Sequence, residues 1–312
     1  MTESRGQRVE DRGRSIGVFL TTAPCPLTTV FCTLTTLLLL LLFLLWPLCA
    51  RALPPIEVHF IDVGQGDAIL IKGPDGANAL IDTGNLSMGF RVGRYLKGQG
   101  VSRLRALVIT HMHPDHVGGI FGLLSGLEVD KVYDNGVSLK GNVFWDEYRN
   151  FLKELDLQRD VLKAGSRLDF GSLSITVLNP FEPFTGNMNA DSIVLLLRYG
   201  DVRFLMAGDL NINGEKRLLE KDVDLKSDVL KVGHHGGCDS TSEAFLERVA
   251  PQIAVISVGS ENPYGYPCEE TLKRIEKPGS VVYRTDRDKT VVIRTDGVGI
   301  EVLGEKGKID HD

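Results

Sequence analysis

The sequence predicts an α+β fold, two β-sheets covered by helices, behind an N-terminal segment that enters a membrane. Three observations carry this. Strand-like runs come in groups with helical patterns between them, which suits two covered sheets better than one doubly wound sheet. No charged residue stands between Ile16 and Ala50. The chain of 312 residues is 43% hydrophobic and 24% charged, enough apolar side chain for a sizeable core, which excludes a disordered chain.

The run from Leu27 to Trp46, at about 1.5 Å per residue, is long enough to cross roughly 30 Å of hydrocarbon. Arg5, Arg8, Arg12 and Arg14 precede it against Glu3, Glu10 and Asp11, which keeps the N-terminus cytoplasmic and sends the rest of the chain outside. Residues 1–52 therefore read as a cytoplasmic arm and transmembrane anchor. Ala50-Arg51-Ala52 offers the alternative, a signal peptide cut after Ala52 and a secreted product, although the apolar run exceeds a usual signal-peptide core. Cys49 follows Leu48 rather than a small residue, which speaks against a lipoprotein site. Either way, residues 53–312 form an extracytoplasmic domain.

Residues 1–52 hold five of the 35 Lys and Arg and three of the 41 Asp and Glu, so the domain carries 30 against 38, a net charge of −8. That argues against a broad basic surface for nucleic acid, although bound divalent cations make one pocket locally positive. Cys25, Cys32 and Cys49 lie in or beside the apolar segment, leaving Cys238 and Cys268 to pair or to be two small buried residues.

After Pro54 and Pro55, apolar runs predict strands at 56–61, 68–71, 79–81 and 107–109, with turns at 64–66 and 73–76. Further strands are expected at 173–178, 193–198, 203–207, 229–232, 253–257, 281–284 and 291–294. Helical periodicity marks 89–97, 117–124, 144–155, 214–219, 242–249 and 269–276.

His111, His113, Asp115 and His116 directly follow an apolar strand and precede a helical pattern. Four candidate ligands in six residues are not a packing pattern. Alternate positions His111 and His113 can point to one metal while Asp115 and His116 turn toward a second, and imidazole with carboxylate suits zinc or manganese. Asp209 ends another strand beside Gly208, where in company with the histidines it reads as a bridging carboxylate. A third strand runs into Gly233, His234 and His235, of which His234, first off the strand, is the expected ligand. Lys231 lies inside that apolar strand, where a lone ammonium is costly to bury, so Asp228 or an anionic substrate should pair with it. Asp62, Asp67 and Asp82 read as loop-ordering carboxylates, His59 as a packed side chain and His311 as solvated.

These motifs resemble the metallo-β-lactamase superfamily, and within it the C-terminal hydrolase domain of ComEC-type competence proteins. The resemblance covers most of residues 56–302. It rests on Asp62-Val63-Gly64-Gln65-Gly66-Asp67, Asp82-Thr83-Gly84, the 111–116 cluster, Asn189 with Asp191-Ser192-Ile193-Val194, Gly208-Asp209, 231–236 and Asn262-Pro263-Tyr264-Gly265. It implies a four-layer αββα sandwich with one or two divalent metals at one edge, zinc before manganese, held by His111, His113, Asp115, His116, Asp209 and one of His234 or His235. Three departures stand out. No His occurs between His116 and His234, so the first metal position lacks the third His, with Asn189, Asp191 or water to fill it. Tyr266 replaces the His of the Asn-Pro-Tyr-Gly-His-Pro loop. The competence protein's multispan channel is absent.

The resemblance implies hydrolysis by metal-activated water, with Asp115, Asp209, Lys231 and His235 at the chemistry and a phosphodiester, extracellular DNA included, as substrate. A β-lactamase-like amide hydrolase and a non-catalytic metal-stabilised DNA-uptake module are the alternatives. No convincing Ser-His-Asp arrangement around a G-x-S-x-G turn appears.

Overall fold

Side-chain alternation decides which face of each strand looks inward. A computed structural model describes residues 53–138 and 143–303. The segment expected to enter a membrane, with its three cysteines, and His311 lie outside the described residues. Among the described residues no helix is long and apolar enough to cross a membrane.

Eight strands form one sheet, in the order Ile300–Leu303, Val291–Thr295, Ile56–Phe60, Ile69–Lys72, Asn78–Ile81, Ala106–Val108, Val132–Asp134 and Arg159–Val161. Seven form the second, in the order Val281–Arg284, Ile253–Ile256, Val229–Lys231, Val202–Met206, Val194–Tyr199, Leu173–Asn179 and Arg167–Phe170. Arg103–Leu104 and Glu128–Val129 pair separately.

The period of two in these strands builds three cores. Ile69, Ile71, Ile81 and Val108 meet Leu195, Leu197, Phe204, Met206 and Val255 in a core lined from both sheets. The alternate residues Leu70, Leu80 and Leu107 pack with Val92 and Leu96 of the helix Gly89–Gly98 and with Trp145, Tyr148 and Leu152 of the helix Val143–Glu154. On the second sheet Leu196, Leu205, Leu230 and Ala254 pack with Leu218, Phe245 and Ile275. Those three lie on the helices Ile212–Glu220, Glu243–Val249 and Glu269–Glu276, the first two capped by Asn211 and Ser242. The layers thus run helix, sheet, sheet, helix.

The helix expected over 117–124 is broken into Pro114–Val117 and Ile120–Leu123. The ladder is interrupted because Gly119 N donates to the Gly84 carbonyl at 2.9 Å and the His116 carbonyl accepts from Thr83 N at 2.7 Å, an approach that glycine at 119 permits. The strands Val132–Asp134, Arg159–Val161, Arg167–Phe170 and Ile300–Leu303 were not expected. They are short, and the last three lie at or beside sheet edges with charged residues in them.

Parallel pairing sets the site. Asn78–Ile81 with Ala106–Val108, and Val202–Met206 with Val229–Lys231 and Ile253–Ile256, run parallel, so their carboxyl ends share an edge within each sheet. The loops leaving those ends carry Asp82, residues 111–116, Asp209, His234–His235 and Ser257.

Candidate metal centre

Two short connections aim the 111–116 ligands. Pro114 opens the helical turn Pro114–Val117, which swings Asp115 and His116 back past His113. Glycine is required at 66, because a Cβ there would meet the Asp115 carbonyl oxygen at 2.2 Å. Asp82, itself left-handed at φ 59, accepts from Thr110 N and Thr110 Oγ1, each at 2.7 Å, and from His116 Nδ1 at 2.8 Å. A carboxylate paired in this way places the proton on Nδ1 and leaves His116 Nε2 facing inward. His111 Nε2 lies 2.9 Å from His113 Nδ1.

Asp209, only 2% exposed, stands between the two sets of ligands. Its Oδ2 is 3.2 Å from His116 Nε2 and 3.7 Å from His111 Nε2, and its Oδ1 is 3.4 Å from His235 Nε2. His235 donates through Nδ1 to the Ser257 carbonyl at 2.9 Å, and its Nε2 is 3.4 Å from Asp115 Oδ2. His116 Nε2, His235 Nε2 and Asp209 Oδ1 are buried without a hydrogen-bond partner among the described residues. Buried polar atoms are normally satisfied, and convergent imidazole and carboxylate atoms of this kind fit a divalent cation between them. Among the described residues His111 with His116 and Asp209, Asp115 with His116 and His235, and Asp67 with Asp82 and His116 each bring their candidate ligand atoms within 4.8 Å of one another.

His234 and His235 both adopt left-handed backbone, φ 46 and 53, and their side chains diverge. His235 joins Asp115, His116 and Asp209. His234 instead turns Nδ1 to Asp239 Oδ1 at 2.8 Å and Nε2 to within 3.1 Å of Asn189 Nδ2. The structure thus brings His235, and not the expected His234, among Asp115, His116 and Asp209, although His234 comes first off the strand. Asn189 Oδ1 is buried and unpartnered among the described residues, whereas Asp191 is spent on Thr185 N, Gly186 N and the Arg217 guanidinium. Of the two side chains expected to fill the position of the missing His, Asn189 meets His234 beside the cluster and Asp191 is turned to other partners.

Residues 61–260 match the metallo-beta-lactamase superfamily model. The chain belongs to this superfamily. It is 32% identical over 258 residues to ComE operon protein 3 of Bacillus subtilis, a match covering 76% of this chain and 33% of that one. It is 31% identical over 227 residues to competence protein ComA of Neisseria gonorrhoeae, covering 72% and 30%. The chain thus spans about a third of the length of these curated relatives. The metallo-beta-lactamase fold protein YhfI of Bacillus subtilis shares the architecture, with a TM-score of 0.53 at 12% identity, over 77% of this chain and 99% of that one. The metallo-β-lactamase fold binds one or two metal ions.

Around this metallo-β-lactamase cluster, charge is balanced locally. Lys231, fully buried, pairs with Asp67, donates to the Gly208 carbonyl at 2.8 Å and lies 3.8 Å from Asp209 Oδ1. Asp228 is not its partner, being engaged by Arg203 N and Gln252 Nε2. Burial works against the Lys231 charge, but Asp67 and Asp209 outweigh it and raise its pKa. Burial likewise opposes protonation of His235, yet Asp209 and Asp115 push it up to about 9. Asp209 is held well below the usual carboxylate range, since His116 and His235 overcome its burial. His111 falls well below the ordinary histidine range through burial, with His116 adding to it.

Outside the cluster, Asp62 accepts from Gly64 N at 3.1 Å, and His59 is buried against Tyr95 Oη at 2.7 Å. Cys238 and Cys268 form a disulfide with Cα atoms 5.2 Å apart, tying the His234–His235 loop to the segment after Tyr266. The Ser257 carbonyl and Asp239 escaped the sequence reading, since a backbone acceptor has no residue signature and Asp239 sits in ordinary turn composition.

Proposed function

We propose that this chain is a metal-dependent phosphodiesterase acting on nucleic acid. One divalent cation would be held by Asp115, His116, His235 and Asp209, and a second would draw on His111, His113 and Asp209, with Asn189 as a further candidate. The observation that carries this reading is that His116 Nε2, His235 Nε2 and Asp209 Oδ1 are buried without a hydrogen-bond partner among the described residues, while the Asp209 carboxylate lies 3.2 Å from His116 Nε2 through Oδ2 and 3.4 Å from His235 Nε2 through Oδ1. A divalent cation bound there, zinc or manganese, would supply Lewis acidity toward a phosphoryl oxygen and water made acidic enough to act as a nucleophile near neutral pH. Asp82 and the Ser257 carbonyl hold the imidazoles of His116 and His235 in the tautomer that leaves Nε2 free. Asp209 spans both positions, and Lys231 keeps Asp67 and Asp209 in place from behind.

The competence relatives support a nucleic-acid substrate, and the uncharged segment after the N-terminal arginines supports a domain displayed outside the cytoplasm on a membrane anchor. The full-length chain, stripped with chelator and reloaded with zinc or manganese, is expected to turn over bis-p-nitrophenyl phosphate and a DNA oligonucleotide in proportion to bound metal. Metal uptake without turnover of either would refute the enzyme and leave a metal-stabilised module. A reporter fused after Asp312 is expected to be active only outside the cytoplasm, and cytoplasmic activity would overturn the anchored topology.

A further inference from the structure

Tyr264 and Tyr266 occupy the loop that leaves the strand Ile253–Ile256. Asn262 fixes this loop: Nδ2 donates to the carbonyls of Gly259 and Tyr266, each at 2.8 Å, and Oδ1 accepts from Tyr266 N at 2.9 Å. The Cys238–Cys268 disulfide holds its far end. The two tyrosine rings stack with centroids 5.5 Å apart and planes at 25°. Tyr264 is 63% exposed, so one face of the stack is open to solvent. The Tyr266 ring stands edge-on to His234 at 5.3 Å, and His234 lies 6.3 Å from His235. A row of rings thus leads from solvent to the metal cluster.

We propose that the Tyr264–Tyr266 pair is a stacking platform for an unpaired nucleobase beside the phosphodiester at the metal centre, which makes single-stranded nucleic acid the favoured substrate. The proposal rests on the phosphodiesterase reading. Phosphates along one strand recur about every 3.4 Å of helix axis, so a base a few nucleotides from the reacting phosphate reaches these rings. The domain's net charge of −8 supplies no broad basic surface to follow a backbone, so affinity must come from contacts other than phosphate, and base–aromatic stacking provides it without demanding a sequence. Bases within a duplex are already stacked and paired, and extruding one costs energy that an unpaired base does not incur. Two near-parallel rings present one flat π-face. They do not form the crossed walls that enclose a quaternary ammonium, so a planar base fits better than a choline headgroup.

The test measures binding separately from turnover. A phosphorothioate single-stranded oligonucleotide, the same strand with abasic sites and the same sequence as a duplex are titrated onto the metal-loaded full-length chain and its Tyr264→Ala and Tyr264→Phe variants. Tyr264→Ala is expected to weaken binding of the single strand about 5- to 150-fold, equivalent to about 1–3 kcal/mol at tenfold per 1.4 kcal/mol, and Tyr264→Phe to restore it. The wild type should lose a similar factor on the abasic strand, while Tyr264→Ala should no longer distinguish the two strands. A loss of affinity from general damage would leave that distinction intact and would refute the platform, as would equal binding of duplex and single strand by the wild type. Turnover of bis-p-nitrophenyl phosphate without base-dependent binding sinks the platform alone. Base-dependent binding without any turnover sinks the phosphodiesterase and leaves the platform standing.

Discussion

The two proposed metal positions differ in what stands behind their candidate ligands. At one, His116 is backed by the buried Asp82 carboxylate and His235 by the Ser257 carbonyl, and both rings are fully enclosed. At the other, His111 leans on the Thr110 hydroxyl at 3.1 Å, His113 is only partly buried, and Asn189, the side chain proposed for the place of a third histidine, contacts His234. Ligands oriented in advance bind a metal without first being ordered, and outer partners of this kind are typically worth about 10- to 100-fold in affinity or activity. The Asp82-backed position is therefore the one expected to keep its cation, and the Asn189 position the one expected to exchange it.

Asp209 is shared by both positions, so Asp209→Ala should erase the difference by emptying both. Turnover is expected to fall by at least about 1000-fold, since several kcal/mol of charge stabilisation go with the metals. Atomic-emission metal analysis and phosphodiester kinetics on protein checked by circular dichroism would show it. A folded variant with wild-type metal content and turnover would contradict the dinuclear account.

His235→Ala should come next, removing a ligand of the tighter position, and His234→Ala should cost clearly less, since His234 contacts Asn189 and Asp239. Equal losses in metal per chain would erase the distinction drawn between the two histidines. Asp82→Asn keeps the shape but reverses the hydrogen bond to His116 Nδ1, so metal affinity at the tighter position should drop about 10- to 100-fold with the weaker position less affected. Asp62→Ala, which removes only an acceptor for Gly64 N, should have a smaller effect than Asp82→Asn. Titration with a competing chelator ranks all four.

The smallest effect is on stability. In metal-free protein His235 is pushed up to about 9, above the ordinary value of about 6.5 for an unfolded chain. Its pairing with Asp209 and Asp115 therefore stabilises fully below about pH 6.5 and is lost as pH rises through about 9. Chelator-treated protein should lose thermal stability across that window. Metal-loaded protein should not, because the cation replaces the proton. Parallel Tm profiles for the two forms would contradict it.

Much of this difference was legible in the sequence, and the reasons are local. Four candidate ligands in six residues between a strand and a helix point to a metal site, and continuous apolar runs such as Ile69-Leu70-Ile71 point to a strand buried on both faces. Three features were not legible because they depend on distant chain or on backbone angles. Lys231 pairs with Asp67, far away in sequence, instead of the nearby Asp228. The left-handed angles at His234 and His235 decide which ring turns inward. Hydrogen bonds from Gly119 N to Gly84 and from Thr83 N to His116 interrupt a helix whose apolar periodicity looked continuous.

The most direct test of the central claim is anomalous diffraction at the zinc edge from crystals grown with zinc. The account predicts a peak about 2.0–2.1 Å from both His116 Nε2 and His235 Nε2, with Asp209 and Asp115 completing its shell and a weaker second peak beside His111, His113 and Asn189. A single peak ligated by His234 with His235 uninvolved, or no peak at His116, would contradict it.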